Sequence, residues 1–192
     1  MTNQYKQTKN NLIRIAISGG PGVGKSTVLE MLAYKGYQTV PEAARIIIER
    51  EQLKDSDCLP WKNTQLFQNT ISELQLKLED SIQSGIVFSD RGLIDGYAYS
   101  KVDQIKTPEI ILRKGKDRYN QVFLLAQLPN YQKDNSRRED IEKARILQEA
   151  IRLAYIEFGY TPIEVPVLSP EERVDFILSK LNSEVKTRLC CG

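Results

Sequence analysis

Residues 12–27 read Leu-Ile-Arg-Ile-Ala-Ile-Ser-Gly-Gly-Pro-Gly-Val-Gly-Lys-Ser-Thr. The first seven, Leu12 to Ser18, are short, apolar and β-branched, the pattern of a buried strand. They run directly into Gly19-Gly20-Pro21-Gly22-Val23-Gly24-Lys25-Ser26, which fits G-x-x-x-x-G-K-[ST]. Glycines let the backbone curl with its N–H groups turned inward, an anion nest. The helix expected from Lys25 to Lys35 adds its positive N-terminal end, with Val28, Leu29 and Leu32 inward and Gly36 as its stop. Gly20 to Thr27, that is Gly20, Pro21, Gly22, Val23, Gly24, Lys25, Ser26 and Thr27, therefore form the expected nucleotide-phosphate cradle. Lys25 is placed to reach the β- and γ-phosphates, and the Ser26 hydroxyl to ligate Mg²⁺. Four fixed positions recur by chance in fewer than about one chain in a hundred of this length. Strand before and helix after are the context the motif requires.

Working outward, strands and helices alternate. Further strands are expected at Gln38 to Pro41, Ile86 to Ser89, Gln121 to Ala126 and Tyr160 to Val165. Helices are expected around Ala43 to Glu51, Leu93 to Ser100, Pro108 to Lys114 and Glu139 to Phe158. A long helix carries Phe67, Ile71, Leu74, Leu78 and Ile82 on one stripe and is ended by Gly85. Ser169-Pro170-Glu171-Glu172 is a capping box with proline at the first helical position, opening a last helix. The alternation implies a parallel sheet of about five strands covered on both faces, a three-layer α/β P-loop fold. Residues 1–11 and 182–192 read as polar tails around one domain, 12–181. In such sheets ligands bind beyond the C-terminal strand ends.

That rule gathers the remaining candidates. Asp90 ends an apolar strand and is the expected Mg²⁺-positioning carboxylate; capping a helix is the competing role. Arg91 either contacts phosphate or substrate, or pairs with a neighbouring carboxylate. Glu42 follows the second strand and could orient or deprotonate an acceptor hydroxyl, or could serve its own helix dipole. Arg45, one turn on, divides between site and surface. Arg137 and Arg138 lie where a loop passes into a helix and suit a lid that stabilises transferred charge; a solvated, self-paired helix start is the alternative. Trp61 and Gln68 could stack on or read a base, while Phe67 belongs to the core stripe. Val167 and Leu168 follow the last strand, where a base could rest.

Composition limits the chemistry. The 192 residues contain 27 Lys and Arg, 25 Asp and Glu, and no histidine. Ser-His-Asp nucleophiles, His-ligated metals and imidazole switches are excluded. A net charge of +2 signals neither nucleic acid nor a membrane surface as partner. No run approaches the ~20 apolar residues of a membrane span. The cysteines, Cys58, Cys190 and Cys191, have no metal-like spacing, so a reducing cytoplasm is the expected location. The ending Leu-Cys-Cys-Gly does not match a prenylation box. Acylation of Cys190 or Cys191 competes with a frayed tail there.

With these residues in place, the chain resembles the small P-loop "predicted ATPase" family of AAA-like domains, which includes the TRPL translocation defect protein. More distantly it is similar to ribosylnicotinamide kinases and deoxynucleoside kinases. The likeness spans roughly Ile13 to Leu181. Beyond the P-loop it rests on Val40-Pro41-Glu42-Ala43-Ala44-Arg45, Leu59-Pro60-Trp61, Phe88-Ser89-Asp90-Arg91-Gly92, Asp134 to Glu139, Tyr155 to Tyr160, Val165-Pro166-Val167 and Glu172-Arg173. It implies a nucleotide-binding, kinase-like domain with a lid and leaves the substrate undefined. Two functions are carried forward. One is Mg-dependent transfer of the ATP γ-phosphoryl to a small nucleoside-like acceptor. The other is an ATP or GTP hydrolase that switches a protein or lipid partner. A guanine-reading N-K-x-D is missing, since Ser100-Lys101-Val102-Asp103 is only a loose imitation; ATP is the expected nucleotide, with GTP open.

Overall fold

The computed structural model describes residues 12–54, 56–128 and 137–181, with the side chains of residues 137–141 left out. Five strands form one sheet: β1 (Leu12–Ser18), β2 (Gln38–Val40), β3 (Gly85–Asp90), β4 (Gln121–Leu125) and β5 (Ile163–Val165). Their order is β2-β3-β1-β4-β5, and every pairing is parallel. The chain leaves β1 on one side, returns through β3, and continues on the other side with β4 and β5. β1 is therefore the central strand, with Ile15 opposite Phe88 on one neighbour and Gln121 on the other.

Parallel neighbours need crossover helices, and these cover both faces. α1 (Lys25–Tyr34) and α7 (Pro170–Ser179) lie together on one face. There Ile13, Ile15 and Ile17 meet Val28, Leu32, Val174 and Ile177. α4 (Asp95–Val102) and α6 (Arg137–Glu157) pack on the other, where Ala16, Val122 and Leu124 meet Tyr97, Ile151 and Tyr155. The alternation of Ile15 and Ala16 along one strand thus feeds two cores. α2 (Ala43–Gln52) and α3 (Thr64–Asp80) enclose a third, smaller core of Ile47, Cys58 and Phe67. α5 (Glu109–Lys114) precedes β4. The capping box of α7 is formed, with the Ser169 hydroxyl accepting from Glu172 N and the Glu172 carboxylate accepting from Ser169 N. The five-stranded parallel α/β architecture expected from the sequence holds.

Three differences from the sequence pattern bear on the site. β5 begins at Ile163 rather than Tyr160. α6 begins at Arg137, two residues before Glu139. The third concerns α3, which ends at Asp80, short of Ile82. Its fully buried residues are Phe67, Gln68, Ser72, Gln75 and Glu79, so after Phe67 a polar stripe replaces the expected apolar one. Ile71, Leu74 and Leu78 are only partly covered. Among the described residues no helix is long and apolar enough to cross a membrane.

Candidate active site

β1 delivers the chain to the loop 19–24, and α1 begins directly after it. Gly24 sits at the N-cap of α1 with φ +87, a left-handed conformation that disfavours a side chain. No side chain caps the helix and its first turn holds no acidic residue. Its free amides and dipole therefore face outward, ready for an anion. The Lys25 ammonium folds back over the loop and donates to the Gly19 carbonyl at 3.0 Å and the Gly20 carbonyl at 2.8 Å. Burial, reinforced by the Arg91 charge, lowers its pKa to about 8.

β3 ends on Asp90, opposite Ile17 of β1. Its Oδ2 accepts from the Ser26 hydroxyl at 3.4 Å, while its buried Oδ1 has no partner. Burial, followed by the Glu42 charge, pushes this carboxyl up to about 6. An orphaned carboxylate oxygen beside a helix-start hydroxyl is a donor set that fits a Mg²⁺ completed by phosphate oxygens and water.

Arg91 follows in a left-handed conformation, φ +67, which is costly for a residue with a side chain. Its surroundings fix it there. Its N–H donates to the Ile17 carbonyl at 3.0 Å, and its own carbonyl accepts from Gln75 at 3.4 Å. The guanidinium donates to Glu42 Oε1 at 2.7 Å, to the Gly19 carbonyl at 3.2 Å and to Asp95 Oδ1 at 3.4 Å. Its Cζ lies 5.3 Å from the centre of the Tyr99 ring. Arg91 thus joins a carboxylate pair to the phosphate loop. Burial pushes the Glu42 carboxyl up, but the charge and hydrogen bond of Arg91 override that and hold it below the usual carboxylate range.

Beside this pair opens a cavity of about 350 Å³, bounded by α2, α3, α4 and the turn after β3. Ala43, Ile48, Phe67, Ile71 and Leu93 give it an apolar wall. Glu42, Arg91 and Asp95 line its polar end, and Gln68 and Gln75 contribute carboxamides. A volume of that order suits a small ligand. A second cleft of about 250 Å³ lies between α1 and α2, where Ser26, Asp90 and Glu42 meet Arg45.

The structure brings Lys25, Ser26, Glu42, Asp90, Arg91 and Gln68 to one end of the sheet. Arg45 is exposed and faces the second cleft. Trp61 is 61% exposed and outside the cavity lining, and Val167 is 46% exposed beyond β5. The side chains of Arg137 and Arg138, and the tail cysteines Cys190 and Cys191, lie outside the described residues.

Asp95 and Gln148 escaped the sequence reading, and Arg173 entered it only through the family likeness, with no role assigned. Asp95, 2% exposed, accepts from Ser18 Oγ at 2.6 Å, Gly92 N at 3.0 Å and Tyr155 OH at 2.7 Å. It ties β1, the turn and α6 to Arg91, and its one signal is its place four residues after that arginine. Gln148 of α6 accepts from Gly20 N at 2.6 Å and donates to the Leu125 carbonyl at 3.1 Å. Arg173 of α7 donates to the Val23 carbonyl at 2.6 Å, bracing the loop from behind. Nothing local in the sequence distinguishes Gln148, whereas Arg173 breaks an otherwise apolar helix stripe.

The comparisons bear on the family and the fold. The family model described as "AAA domain" matches residues 14–173. The chain belongs to that family. Among solved structures it is similar to NadR protein in complex with NR, at 17% identity and a TM-score of 0.65 over 88% of this chain and 50% of that one. It therefore spans about half the length of NadR. It is also similar to shikimate kinase from Aquifex aeolicus vf5, at 20% identity and 0.57 over 94% of this chain and 100% of the other. Deoxyadenosine kinase from M. mycoides with bound dCTP matches at 19% identity and 0.58, over 89% and 100%. At these identities the likeness is one of fold alone. None of the curated proteins matches the chain.

Proposed function

We propose that this AAA-family domain, residues 12–181, is a phosphotransferase that moves the γ-phosphoryl of ATP to a hydroxyl of a small nucleoside-like acceptor. The observation that carries the reading is the 350 Å³ cavity with Glu42 in its wall, joined to the phosphate loop through Arg91. The loop amides and Lys25 hold the β- and γ-phosphates. Ser26 and Asp90 would hold Mg²⁺, which when bound neutralises charge on the phosphate oxygens. Glu42, kept ionised by Arg91, accepts the hydrogen bond of the acceptor hydroxyl and aims its oxygen at the loop. Positioning and charge stabilisation supply most of such catalysis, which is why a chain without imidazole suffices. Arg137 and Arg138 are assigned to a lid over the transferred group, and Val167 to the edge of the base site. GTP in place of ATP is the variant of this reading. A free thiol at Cys58 suits a reducing cytoplasm.

Incubation with Mg·ATP and a nucleoside panel, read by mass spectrometry, is expected to give ADP and one phosphorylated acceptor. ADP with free phosphate and no phosphorylated acceptor would sink the reading. A nucleotide switch with a protein partner has one observation in its favour, the exposed Ile146, Leu153 and Ile156 on α6. Partner binding that differs between ATP and ADP states would support it.

A further inference from the structure

The phosphate loop does not fix its own backbone. Two of its peptide groups, Gly19–Gly20 and Val23–Gly24, lead into glycines, where no Cβ opposes rotation of the peptide plane. In a trans peptide the C=O and the next N–H point in opposite directions. Whatever holds one of them therefore aims the other.

Both planes are held from outside the loop. The Gly20 N–H donates to Gln148 Oε1 of α6 at 2.6 Å. The Gly19 carbonyl is thereby turned into the site, where it accepts from Lys25 Nζ at 3.0 Å and from Arg91 Nη1 at 3.2 Å. Gln148 is itself oriented, because its Nε2 donates to the Leu125 carbonyl at 3.1 Å. A Cβ at Gly20 would lie 3.1 Å from the Ala144 carbonyl, so α6 packs directly against the loop at this point. Arg173 of α7 acts on the second plane from its carbonyl side. Its Nη1 donates to the Val23 carbonyl at 2.6 Å and its Nη2 to the Ala126 carbonyl at 3.4 Å. The Gly24 N–H, at the N-cap of α1, therefore points away from Arg173.

Arg173 is a costly anchor for stability alone. It is 2% exposed, its partners among the described residues are these two carbonyls, and its buried Nε has none. Two neutral carbonyls only partly replace the water that a guanidinium gives up on burial. A Cβ at Gly24 would lie 3.6 Å from its Nη1, so an anion held by the loop supplies nearby the negative charge that the buried cation lacks.

We propose that Gln148 and Arg173 are positioning residues that set the two glycine-flanked peptides of the phosphate loop, the Gly19 carbonyl toward Lys25 and Arg91 and the Gly24 N–H toward the bound phosphates. Triphosphate affinity is thus set by α6 and α7 as well as by the loop. The proposal rests on the nucleotide-binding part of the reading above and not on transfer to an acceptor.

The test uses the full chain, titrated with Mg·ATP and with inorganic triphosphate, which has no base to contribute. Gln148→Met and Arg173→Met keep much of the side-chain length and remove the hydrogen bonds. Each is expected to raise the Kd for both ligands about tenfold. Arg173→Lys keeps the charge and a donor, and is expected to recover most of the loss. A purely structural role would lower Tm and leave the Kd of the folded protein where it was. An unchanged Kd in either methionine variant would overturn the role of that residue, and a loss that Arg173→Lys fails to recover would overturn the donor role of Arg173. Amide hydrogen exchange of the unmodified chain, followed by NMR, decides the matter if a variant does not fold. The Gly20 amide is expected to be protected without ligand, and the Gly24 amide to gain protection when triphosphate is added. A fast-exchanging Gly20 amide, or a Gly24 amide that triphosphate leaves unprotected, would overturn the proposal. A chain that binds neither ligand would overturn the nucleotide-binding reading with it. ADP and free phosphate without a phosphorylated acceptor would overturn the kinase reading alone.

Discussion

Arg91 is the residue on which the site turns. A left-handed arginine persists only if its surroundings outweigh the strain. Here Ile17, Gln75, Glu42, Asp95 and Gly19 all hold it. Asp95 takes four donors on two oxygens, so Asp95→Asn must turn an amide N–H toward at least one of them. Unfolding by denaturant should show a loss of about 1–3 kcal/mol, and phosphoryl transfer should fall because Arg91 and Glu42 lose their brace. Gly92 faces a different limit. A Cβ there would collide with the Tyr155 hydroxyl and lie 2.9 Å from Tyr119 Cζ and from its hydroxyl oxygen. Gly92→Ala should cost about 1–3 kcal/mol through overpacking, visible as a lower Tm. The titrations of Lys25 and Asp90 set the pH range. Burial, followed by the Glu42 charge, raises Asp90 to about 6 against the opposing charges of Lys25 and Arg91. Below that pH it is protonated and a poor Mg²⁺ ligand, so kcat/KM should fall on the acid side. Lys25 is lowered to about 8; above that it loses its charge, and kcat/KM should fall again. A bell with limbs near 6 and 8 in a protein lacking histidine is the expected profile. A flat profile from pH 5 to 9 would contradict both assignments.

At the scale of elements, α3 shows where sequence pattern stops being enough. Phe67, Ile71, Leu74 and Leu78 form a regular apolar stripe, yet the deeply buried face is Gln68, Ser72, Gln75 and Glu79, with the same helical spacing. Periodicity marks which residues share a face, but burial of a polar face depends on partners far along the chain. Glu79 accepts from Tyr119 OH at 2.8 Å, from Gln75 at 2.8 Å and from Arg118. Tyr119 and Arg118, about forty residues away, are invisible to a local window. By contrast the β1–loop–α1 unit was legible because its chemistry is contiguous, and Asp90 because a strand of apolar residues ends on it. Glu42 was legible as a position after β2, while its pairing with Arg91 was not. Glu79→Gln tests the network. Removing the charge should destabilise the fold by about 3 kcal/mol, the lower end for breaking a buried pair, because Asp80 still holds Arg118 at 2.9 Å. The nucleotide loop does not touch Glu79, so Mg·ATP affinity should change little. A stable Glu79→Gln protein with native Tm would show that the network is dispensable.

At the scale of the molecule, the sheet brings two binding regions to one edge. The phosphate loop follows the central strand, and the larger cavity sits outside β3 between α2, α3 and α4. Arg91 and Asp95 link the two, and Gln148 ties α6 to the loop. On the proposed kinase reading, a nucleotide held by the loop and an acceptor held by the cavity would meet at Glu42. The most direct measurement is the stoichiometry of the reaction: ADP, free phosphate and phosphoester measured together while the acceptor is raised at fixed Mg·ATP. The account predicts acceptor-stimulated ADP formation with one phosphoester formed for each ADP. ADP formation that is indifferent to the acceptor and matched by free phosphate would contradict it.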